Sequence, residues 1–362
     1  MPDLIAADWI AADWGTSRLR VWAMGADGAV LDRRESDAGM GGLAPEGFEP
    51  ALLALIHDWL TPGRSTQVIA CGMVGARQGW VEAAYRPLPC PPVGPPLTPA
   101  PVSDPRLSVA IVPGLSQTRP AADVMRGEET QIAGVLAAAP NWDGVVCLPG
   151  THSKWAEVSA GEVVSFRSFL TGELFALLAG HSVLRHGMGD GWDEAGFDAG
   201  LAEGMARPEA LTARLFGLRA EGLLSGLAPD TARARLSGLL IGAELAAAKP
   251  WWLGRDVVIV GEGRLAALYA RGLAAQGVAA RRAPADWRRQ RRGNDGVDTE
   301  IGTAERTPPH VRRRAGTHAR RAPPLDDQRG RNPRSLVYRQ PAGRGHRAAH
   351  RRHLPRLLLP HR

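Results

Sequence analysis

Along the first 280 residues, apolar positions recur with the two-residue period of strands or the three-to-four-residue period of helices. Short apolar runs bounded by glycine, aspartate or proline predict strands. These runs cover residues 10–14, 19–24, 29–34, 67–75, 107–114, 144–148 and 256–260. Residues 154–169 predict a hairpin, and "GADG" at residues 25–28 is typical of a hairpin turn.

Helical spacing of apolar residues separates these strands. It predicts helices over residues 46–60, 128–139, 173–184, 197–206, 211–224 and 231–248, and one more after residue 263. The proline-rich passage at residues 87–101 is predicted to be irregular, because proline removes backbone donors. Strands that alternate with helices indicate an α/β fold.

Each half of this region opens with a buried strand, a Gly-Thr turn and a hairpin. The pattern reads "AADWGTSRLRVW" from residue 11 and "VVCLPGTHSKWAEV" from residue 145, a weak internal repeat of about 140 residues. Two similar α/β halves that face each other form a cleft, and small ligands prefer clefts between domains. We therefore predict two domains, residues 1–126 and 127–284.

Charge and composition change abruptly near residue 283. The chain of 362 residues carries a net charge of +7, yet residues 281–362 hold 22 arginines, no lysine and 7 acidic residues. That segment is +15, whereas residues 1–280 are −8. Residues 281–362 lack apolar periodicity, so they cannot bury enough apolar surface to offset the conformational entropy that ordering would cost. Residues 285–362 are predicted to be a disordered basic tail, which we interpret as sequence read in a shifted frame.

Several classes of protein are not favoured. No apolar run reaches the roughly 18 residues of a membrane helix. The N-terminus has no basic segment ahead of an apolar one, so a secretory signal is not predicted. The three cysteines, Cys71, Cys90 and Cys147, are scattered and lack metal-ligand spacing, which suits a reducing cytoplasm. We expect a cytoplasmic protein without membrane contact, and the sequence leaves open a homo-oligomer.

Two turns carry the residue types that a phosphate group needs. Glycine lets backbone N–H groups approach closely, and Ser or Thr adds hydroxyl donors. "DWGTS" (residues 13–17) and "PGTHS" (residues 149–153) are such turns, and "VGEGR" (residues 260–264) is a third glycine turn. Asp13 could hold Mg²⁺ against the phosphates. Asp before Gly-Thr is also common at ordinary turns, but two matched turns favour phosphate binding. No GxxxxGK[ST] occurs, which excludes a P-loop enzyme.

Five segments occur in order between about residues 9 and 280: "IAADWGTSRLRVW", "MRGEETQIAG", "LPGTHSKW", "FLTGELFALLAGHSVL" and "LSGLLIGAE". Together they resemble the 2-dehydro-3-deoxygalactonokinase family of the sugar-kinase/Hsp70/actin ATPase superfamily. The resemblance implies two ribonuclease-H-like α/β domains that close over ATP and a sugar acid. It also implies Mg²⁺-assisted transfer of the γ-phosphoryl group to the terminal C6 hydroxyl of 2-dehydro-3-deoxy-galactonate.

The resemblance implies roles for individual residues in nucleotide binding. Asp13 matches the first phosphate motif, whereas Asp8 is followed by Ile10 where the turn needs glycine, so residues 1–9 are interpreted as an extension. The implied phosphate and nucleotide contacts are Gly15, Thr16 and Ser17 in the first turn, Gly150, Thr151 and Ser153 in the second, and Gly261 and Gly263 in the third.

The resemblance also implies a general base and a sugar pocket. Glu128 matches the catalytic aspartate of glycerol-kinase-like relatives. Glu129 is its competitor, and a helix start favours acids by its dipole alone. The glycine loop at residues 37–43, including Gly41, would line the sugar pocket.

The substrate carboxylate calls for an arginine fork. The candidates, each equally suited to a surface or structural ion pair, are Arg18, Arg77 and Arg126.

Two other functions remain open on sequence grounds. "VIVGEGRLA" with Asp286 matches a dinucleotide fingerprint, but this leaves the two Gly-Thr turns unexplained. A non-enzymatic ATP-binding regulator would use the same fold, with the basic tail on nucleic acid. The tail lacks lysine and interleaved aromatic residues, so nucleic acid is not expected. A kinase inactivated by its altered C-terminus is a variant of the first interpretation.

Overall fold

The computed structural model describes residues 6–261 and 263–283, and these belong to one compact unit of the chain. Two features predicted from the sequence, Asp286 and the basic tail at residues 285–362, lie outside the described residues.

The longer strands form where the sequence places short apolar runs, and several strands of three or four residues form outside these runs. They are β1 (Trp9–Trp14), β2 (Leu19–Met24), β3 (Val30–Ser36), β4 (Thr66–Gly72), β5 (Tyr85–Pro87), β6 (Thr98–Ala100), β7 (Leu107–Ile111), β8 (Gly114–Gln117), β9 (Asp123–Met125), β10 (Gly144–Leu148), β11 (Ser153–Ser159), β12 (Glu162–Phe169), β13 (Val257–Val260) and β14 (Arg281–Ala283). Every predicted strand is confirmed within a few residues. The central strands β10 and β13 are buried at every position.

Helices form at the predicted places with shifted ends. They are α1 (Phe48–Ile56), α2 (Glu128–Ala138), α3 (Thr171–His181), α4 (Glu194–Ala206), α5 (Leu211–Leu224), α6 (Pro229–Ala247), α7 (Lys249–Trp252) and α8 (Gly263–Ala274). The largest difference is at α1, where short 3₁₀ turns replace both ends of the predicted helix 46–60. Proline at position 45 starts the first of these turns.

The two large sheets share one topology. The first has the order β3-β2-β1-β4-β7-β6, with β1 antiparallel to β2 and parallel to β4. The second has the order β12-β11-β10-β13-β14, with β10 antiparallel to β11 and parallel to β13. The orders coincide when β10 is placed on β1, which confirms the predicted repeat. A small third sheet, β5-β8-β9, accompanies them.

Strand registers align the two halves residue by residue. Leu19 pairs with the last residue of β1, and Lys154 pairs with the last residue of β10. One position further from the turn of each hairpin, Asp13 pairs with Arg20 in the first half, and Cys147 pairs with Trp155 in the second. The repeat is therefore structural, and only its first half carries a carboxylate at the end of the central strand.

Each large sheet packs on its own apolar core. In the first, the ring of Trp14 lies 5.1 Å from that of Phe48 and 6.0 Å from that of Trp80, measured between centroids. In the second, Trp155 and Tyr269 are fully buried among residues of α4, α6 and α8. Burial of such large rings is the main stabilising contribution, at about 25 cal/mol per Å² of apolar area.

Two sequence predictions are wrong in part. Residues 87–101 are not irregular throughout, because β6 pairs antiparallel with β7 and places Pro99 opposite Ala110. An edge strand tolerates proline, since one row of its backbone groups has no ladder partner. Residues 1–9 are not simply an extension either, because Trp9 begins β1 and the Asp8 N–H donates to the Met24 carbonyl at 2.9 Å.

Candidate active site

The first site residue, Asp13, lies near the carboxyl end of β1. Its Oδ2 is 2.5 Å from a guanidinium nitrogen of Arg20, the residue opposite on β2. About a quarter of the Asp13 side chain, 26%, is exposed. On its other side β4 ends at Gly72, and a Cβ there would lie 3.5 Å from Asp13 Oδ1. The carboxylate thus stands at the open edge of the sheet.

The turn after Asp13 is fastened to the predicted sugar loop by backbone hydrogen bonds. The Gly41 N–H donates to the Thr16 carbonyl at 2.9 Å, and the Met40 N–H donates to the Gly15 carbonyl at 3.0 Å. A Cβ on Gly39 would lie 2.3 Å from the backbone of Ser17, so only glycine allows this approach. Thr16 and Ser17 are exposed.

The start of α2 lies against the end of β4. Gly127 has a φ of +109°, and a Cβ there would be 3.3 Å from the Gly72 Cα. This backbone places Glu128 at the first position of α2. Its Oε2 accepts the Arg126 N–H at 3.0 Å, and its Oε1 lies 3.1 Å from Lys154 Nζ. Glu128 therefore joins the first half of the fold to β11 in the second.

The neighbouring carboxyl, Glu129, points into the protein. It is fully buried, and its Oε2 accepts the Gly127 N–H at 2.6 Å. Burial raises the pKa of Glu129 to about 8, and the charge of Glu128 adds to this rise. Glu129 is therefore protonated near neutral pH, and the two adjacent acids carry a single negative charge.

The second turn is packed under the start of α3. A Cβ on Gly172 would lie 2.2 Å from the Gly150 carbonyl oxygen, and the Glu173 N–H donates to the Thr151 carbonyl at 2.9 Å. His152 Nε2 lies 2.5 Å from Glu173 Oε2. Close packing by glycine and these bonds fix the turn that "PGTHS" predicts.

Ser153, the last residue of that turn, faces inward. It is fully buried, and its hydroxyl donates to Glu244 Oε2 at 2.7 Å. Glu244 also accepts from the Trp155 indole at 2.8 Å and from the Tyr269 hydroxyl at 2.7 Å. Burial raises the pKa of Glu244, although these hydrogen bonds partly oppose the rise. The hydroxyl of Ser153 thus anchors the turn from below.

A pocket of about 380 Å³ opens beside the second turn. Gly150 and Thr151 line one side, and the start of α8, just after the third glycine turn, lines another. Gly261 and Gly263 in that turn have φ values of +149° and +74°, which favour glycine. Both turns follow parallel strands, β10 and β13, so the pocket lies at their carboxyl ends.

Two arginines stacked on aromatic rings stand in the wall of this pocket. The Arg264 guanidinium lies 4.9 Å from the centroid of Trp192, and that of Arg233 lies 5.2 Å from the centroid of Phe175. The Trp192 Nε1 is buried and has no hydrogen-bond partner among the described residues. The wall therefore combines flat apolar faces, two positive charges and one buried N–H donor without a partner among the described residues.

The three predicted substrate arginines lie in different settings. Arg18 is 3.8 Å from Asp37 and Arg77 is 3.6 Å from Glu82, with 67% and 80% of their side chains exposed. Arg126 instead stacks 4.3 Å over Tyr85 and donates to the Ala83 carbonyl at 2.7 Å. Only Arg126 touches Glu128, through its backbone N–H.

The sequence reasoning missed several residues that the fold brings to the site. For Arg20, the signal was available in its place opposite Asp13 on the predicted hairpin. Lys154 and Glu244 gave a weaker signal, since a charged residue beside buried strand or helix positions needs a partner. Arg264 ends the third glycine turn, but its side chain was given no role, and the pocket residues Trp192 and Arg233 lie in no recognisable motif.

Within the described ranges, no cluster of three or more His, Cys, Asp or Glu residues could hold a metal ion. None of the helices described there is long and apolar enough to cross a membrane.

A family model matches residues 13–291, and its description is 2-keto-3-deoxy-galactonokinase. The match begins at Asp13 and covers all three glycine turns and the start of α2.

Two curated proteins are similar over most of this chain. One is a "Probable 2-dehydro-3-deoxygalactonokinase" of Rhizobium meliloti, 40% identical over 287 residues, which are 78% of this chain and 94% of that protein. The other is a 2-dehydro-3-deoxygalactonokinase of Escherichia coli, 37% identical over 251 residues, which are 68% of this chain and 82% of that protein.

A crystal structure of a Sinorhizobium meliloti protein named as a 2-dehydro-3-deoxygalactonokinase has the same fold. It is 40% identical, its TM-score is 0.72, and the superposition covers 78% of this chain and 95% of that one.

Proposed function

The chain belongs to the 2-keto-3-deoxy-galactonokinase family of ATP-dependent sugar kinases, and we propose that its substrate is 2-dehydro-3-deoxy-D-galactonate. On this proposal it transfers the γ-phosphoryl group of ATP to the terminal C6 hydroxyl, as a step of galactonate catabolism. We place the reaction in the cytoplasm, where ATP and sugar acids are available together.

One observation carries the proposal: the Glu128 carboxylate lies next to the residue that follows the second glycine turn, and its neighbour Gly127 packs on the strand beside Asp13. Glu128 is 3.1 Å from Lys154, which directly follows the second glycine turn. Gly127 packs against Gly72, the end of the strand next to Asp13. Phosphoryl transfer depends on positioning and on charge stabilisation more than on covalent chemistry by the protein, and this arrangement supplies both.

Glu128 is proposed as the general base that takes the proton of the attacking hydroxyl. In support, 24% of its side chain is exposed, and its two oxygens are oriented by Arg126 and Lys154. Glu129 is the weaker candidate, because it is fully buried and its raised pKa of about 8 leaves it protonated at neutral pH. A protonated carboxyl cannot accept another proton from substrate.

Asp13 is proposed to hold Mg²⁺. The described residues contain no larger ligand cluster, and Mg²⁺ in kinases is commonly bound by one or two carboxylates together with phosphate oxygens and water. A single carboxylate at the open end of β1 fits that donor set. When bound, the ion neutralises phosphate charge and orients the transferred group.

The nucleotide is proposed to occupy the pocket beside the second turn. Gly150 and Thr151 would bind phosphates from one side, with Gly15, Thr16 and Ser17 across the cleft. The base and ribose would lie along the wall that contains Trp192 and Arg264, since flat apolar and cationic faces suit a purine. Gly261 and Gly263 let the backbone of the third turn approach the nucleotide. Ser153 is proposed to act through the position of this turn, because its hydroxyl is engaged by Glu244.

The sugar acid is proposed to bind between Glu128 and the loop at residues 75–85. Arg126 supports this place, because it fixes the loop through Ala83 and contacts Glu128 through its backbone. Arg18 and Arg77 have largely exposed side chains, so either can turn toward a substrate carboxylate. Gly41 would allow close approach of the substrate to the backbone, because glycine has no side chain.

A coupled ADP-release assay across sugar acids tests the proposal. The panel contains 2-dehydro-3-deoxy-D-galactonate, its C4 epimer and galactonate itself. We expect the highest kcat/KM with the first compound and a product with phosphate on C6, identified by ³¹P–¹H coupling. Preference for the epimer would refute the substrate assignment. ATP binding without ADP release on any sugar acid would instead indicate a regulator on the same fold.

A further inference from the structure

A lysine side chain is buried at the junction of the two halves. Lys154 is one of two lysines in the chain, and only 5% of its side chain is exposed. Its ammonium group lies 3.1 Å from Glu128 Oε1 and donates to the His152 carbonyl at 3.1 Å. Burial of an ammonium is costly unless it is paired, so this position demands a partner of opposite charge.

The internal repeat shows that the fold itself does not require a lysine there. The equivalent position in the first half is Leu19, which also pairs with the last residue of its central strand. Leu19 is fully buried in the apolar core. The same site in the same topology is therefore satisfied by an aliphatic side chain in one half and holds a cation in the other.

We propose that Lys154 is a positioning residue for the phosphoryl-transfer reaction, holding the Glu128 carboxylate in place and coupling it to the second phosphate turn. This inference rests on the proposed role of Glu128 as general base.

The local charges match this role. Glu129 is protonated near neutral pH because its pKa is raised to about 8, so Glu128 carries the one negative charge of the adjacent acids. Lys154 supplies a positive charge 3.1 Å from Glu128 Oε1. The Arg126 backbone N–H holds the other oxygen of Glu128, so the carboxylate is fixed from two directions.

The chain connects this pair directly to the nucleotide pocket. Lys154 follows the turn whose residues Gly150 and Thr151 line the pocket, and it also holds the carbonyl of His152 within that turn. A shift of the turn on nucleotide binding would therefore move the ammonium and, with it, the base. If Glu128 is aligned only when the nucleotide is bound, proton removal from the sugar acid depends on the presence of ATP.

The test is a double-mutant cycle on the full chain with Lys154→Met and Glu128→Gln, with ATP affinity measured separately by titration. Lys154→Met is expected to lower kcat about 100-fold, in the range of general-base effects, with ATP affinity within about threefold. In the Glu128→Gln background the same substitution should change kcat by less than about threefold, because the group it positions is already lost. Lys154→Arg should recover part of the activity by keeping the charge.

Lys249→Met is the matched control, since Lys249 is the other lysine and is exposed; it should leave kcat unchanged. If Lys154→Met fails to fold, Lys154→Arg and the double variant, which removes both charges, decide the question. Equal losses of kcat in both backgrounds, or a loss of ATP affinity at unchanged kcat, would overturn the inference. Failure of the proposed function is distinct, because the unaltered protein itself would then release no ADP with sugar acid.

Discussion

Two aspartates, Asp8 just before β1 and Asp13 near its carboxyl end, follow similar sequence but have different surroundings. Asp8 is exposed, accepts the Ala26 N–H at 2.7 Å and lies 3.4 Å from Arg64. It therefore stabilises the turn between β2 and β3. Asp13 lies at the open end of the central strand, beside the glycine turn and opposite Arg20. At the scale of single residues, the surroundings agree with the sequence prediction that Asp8 has a structural role, and Asp13 stays the predicted metal ligand.

Asp13→Asn is expected to lower kcat about 100-fold or more, because the carboxylate that would hold the metal loses its charge. Asp8→Asn should change kcat by less than about twofold and stability by less than about 1 kcal/mol, the usual size for one exposed hydrogen bond. Steady-state ADP release by the two variants compares them directly. If Asp8→Asn were the crippling change, the assignment of the first phosphate turn would be wrong.

Glu129 makes the stability of the protein depend on pH. Its folded-state pKa of about 8 lies above the ordinary 4.5, so its stabilising contribution is complete below pH 4.5 and is lost as pH rises toward 8. Glu129→Gln should remove this part of the pH dependence, while its amide oxygen can still accept the Gly127 N–H. Urea unfolding at about pH 5 and pH 9 should show the variant gaining a few kcal/mol relative to the unaltered protein at the higher pH, at about 1.36 kcal/mol per pKa unit.

Glu46→Gln, at an exposed position, is the control for this experiment and should leave the pH dependence unchanged. A Glu129→Gln protein with the same pH dependence as the unaltered one would show that Glu129 is ionised in the folded state.

At the scale of elements, the packing of α4 on α6 decides the shape of the second half. Glycines recur at every fourth position of α4: Gly200 and Gly204 lie against Gly238 and Gly242 of α6, and Gly196 lies against Thr231. A Cβ on Gly200 would lie 2.4 Å from the Arg235 carbonyl, and one on Gly242 would lie 2.4 Å from the Leu201 carbonyl. The two backbones therefore touch, and this close contact brings α6 to the wall of the pocket beside the second turn.

Gly200→Ala should destabilise the protein by about 1–3 kcal/mol, the usual cost of overpacking, because the added methyl group meets backbone that cannot move aside. Gly217→Ala on α5 is the matched control, since nothing lies within 4 Å of its Cβ position. That control should stabilise the protein by up to about 1 kcal/mol through helix propensity. Equal effects in urea unfolding would show that α4 and α6 are not packed in this way.

Elements of this fold are predictable where the signal is local. The sequence shows the apolar runs of β10 and β13, the glycine turns and the four-residue spacing of the glycines in α4. The edge strand β6 was not predicted, because its three residues include Pro99 and depend on pairing with β7. Pairing with a distant strand is a long-range property that local propensity does not carry.

The candidate site is predictable in its turns and less so in its side-chain contacts. Ser153 was predicted as a phosphate ligand, yet it hydrogen-bonds Glu244, which is 91 positions away. The pairing of Lys154 with Glu128 also crosses between the two halves. The sequence identifies Asp13 and Glu128 from their motifs, whereas these partners become evident only from the fold. Their roles as ligands and base stay predictions.

At the scale of the whole molecule, the family match ends at residue 291, near the point where the charge of the sequence changes sign. Removal of residues 292–362 is expected to leave the kcat of ADP release within about twofold, because the residues proposed to act in phosphoryl transfer lie in the matched region. Activity assays and solubility of the shortened chain check this. A loss of activity on removal would show that the basic segment takes part in the reaction.

The central claim is that Glu128 acts on a sugar acid beside ATP bound at the two glycine turns. The most direct measurement is ADP release with 2-dehydro-3-deoxy-D-galactonate by the unaltered protein and by Glu128→Gln, together with the ATP dissociation constant of each. The account predicts rapid release by the former, a loss of at least about 100-fold in kcat for the latter, and equal ATP affinity. Turnover by Glu128→Gln at the unaltered rate, or an equal loss of ATP affinity and turnover, would contradict it.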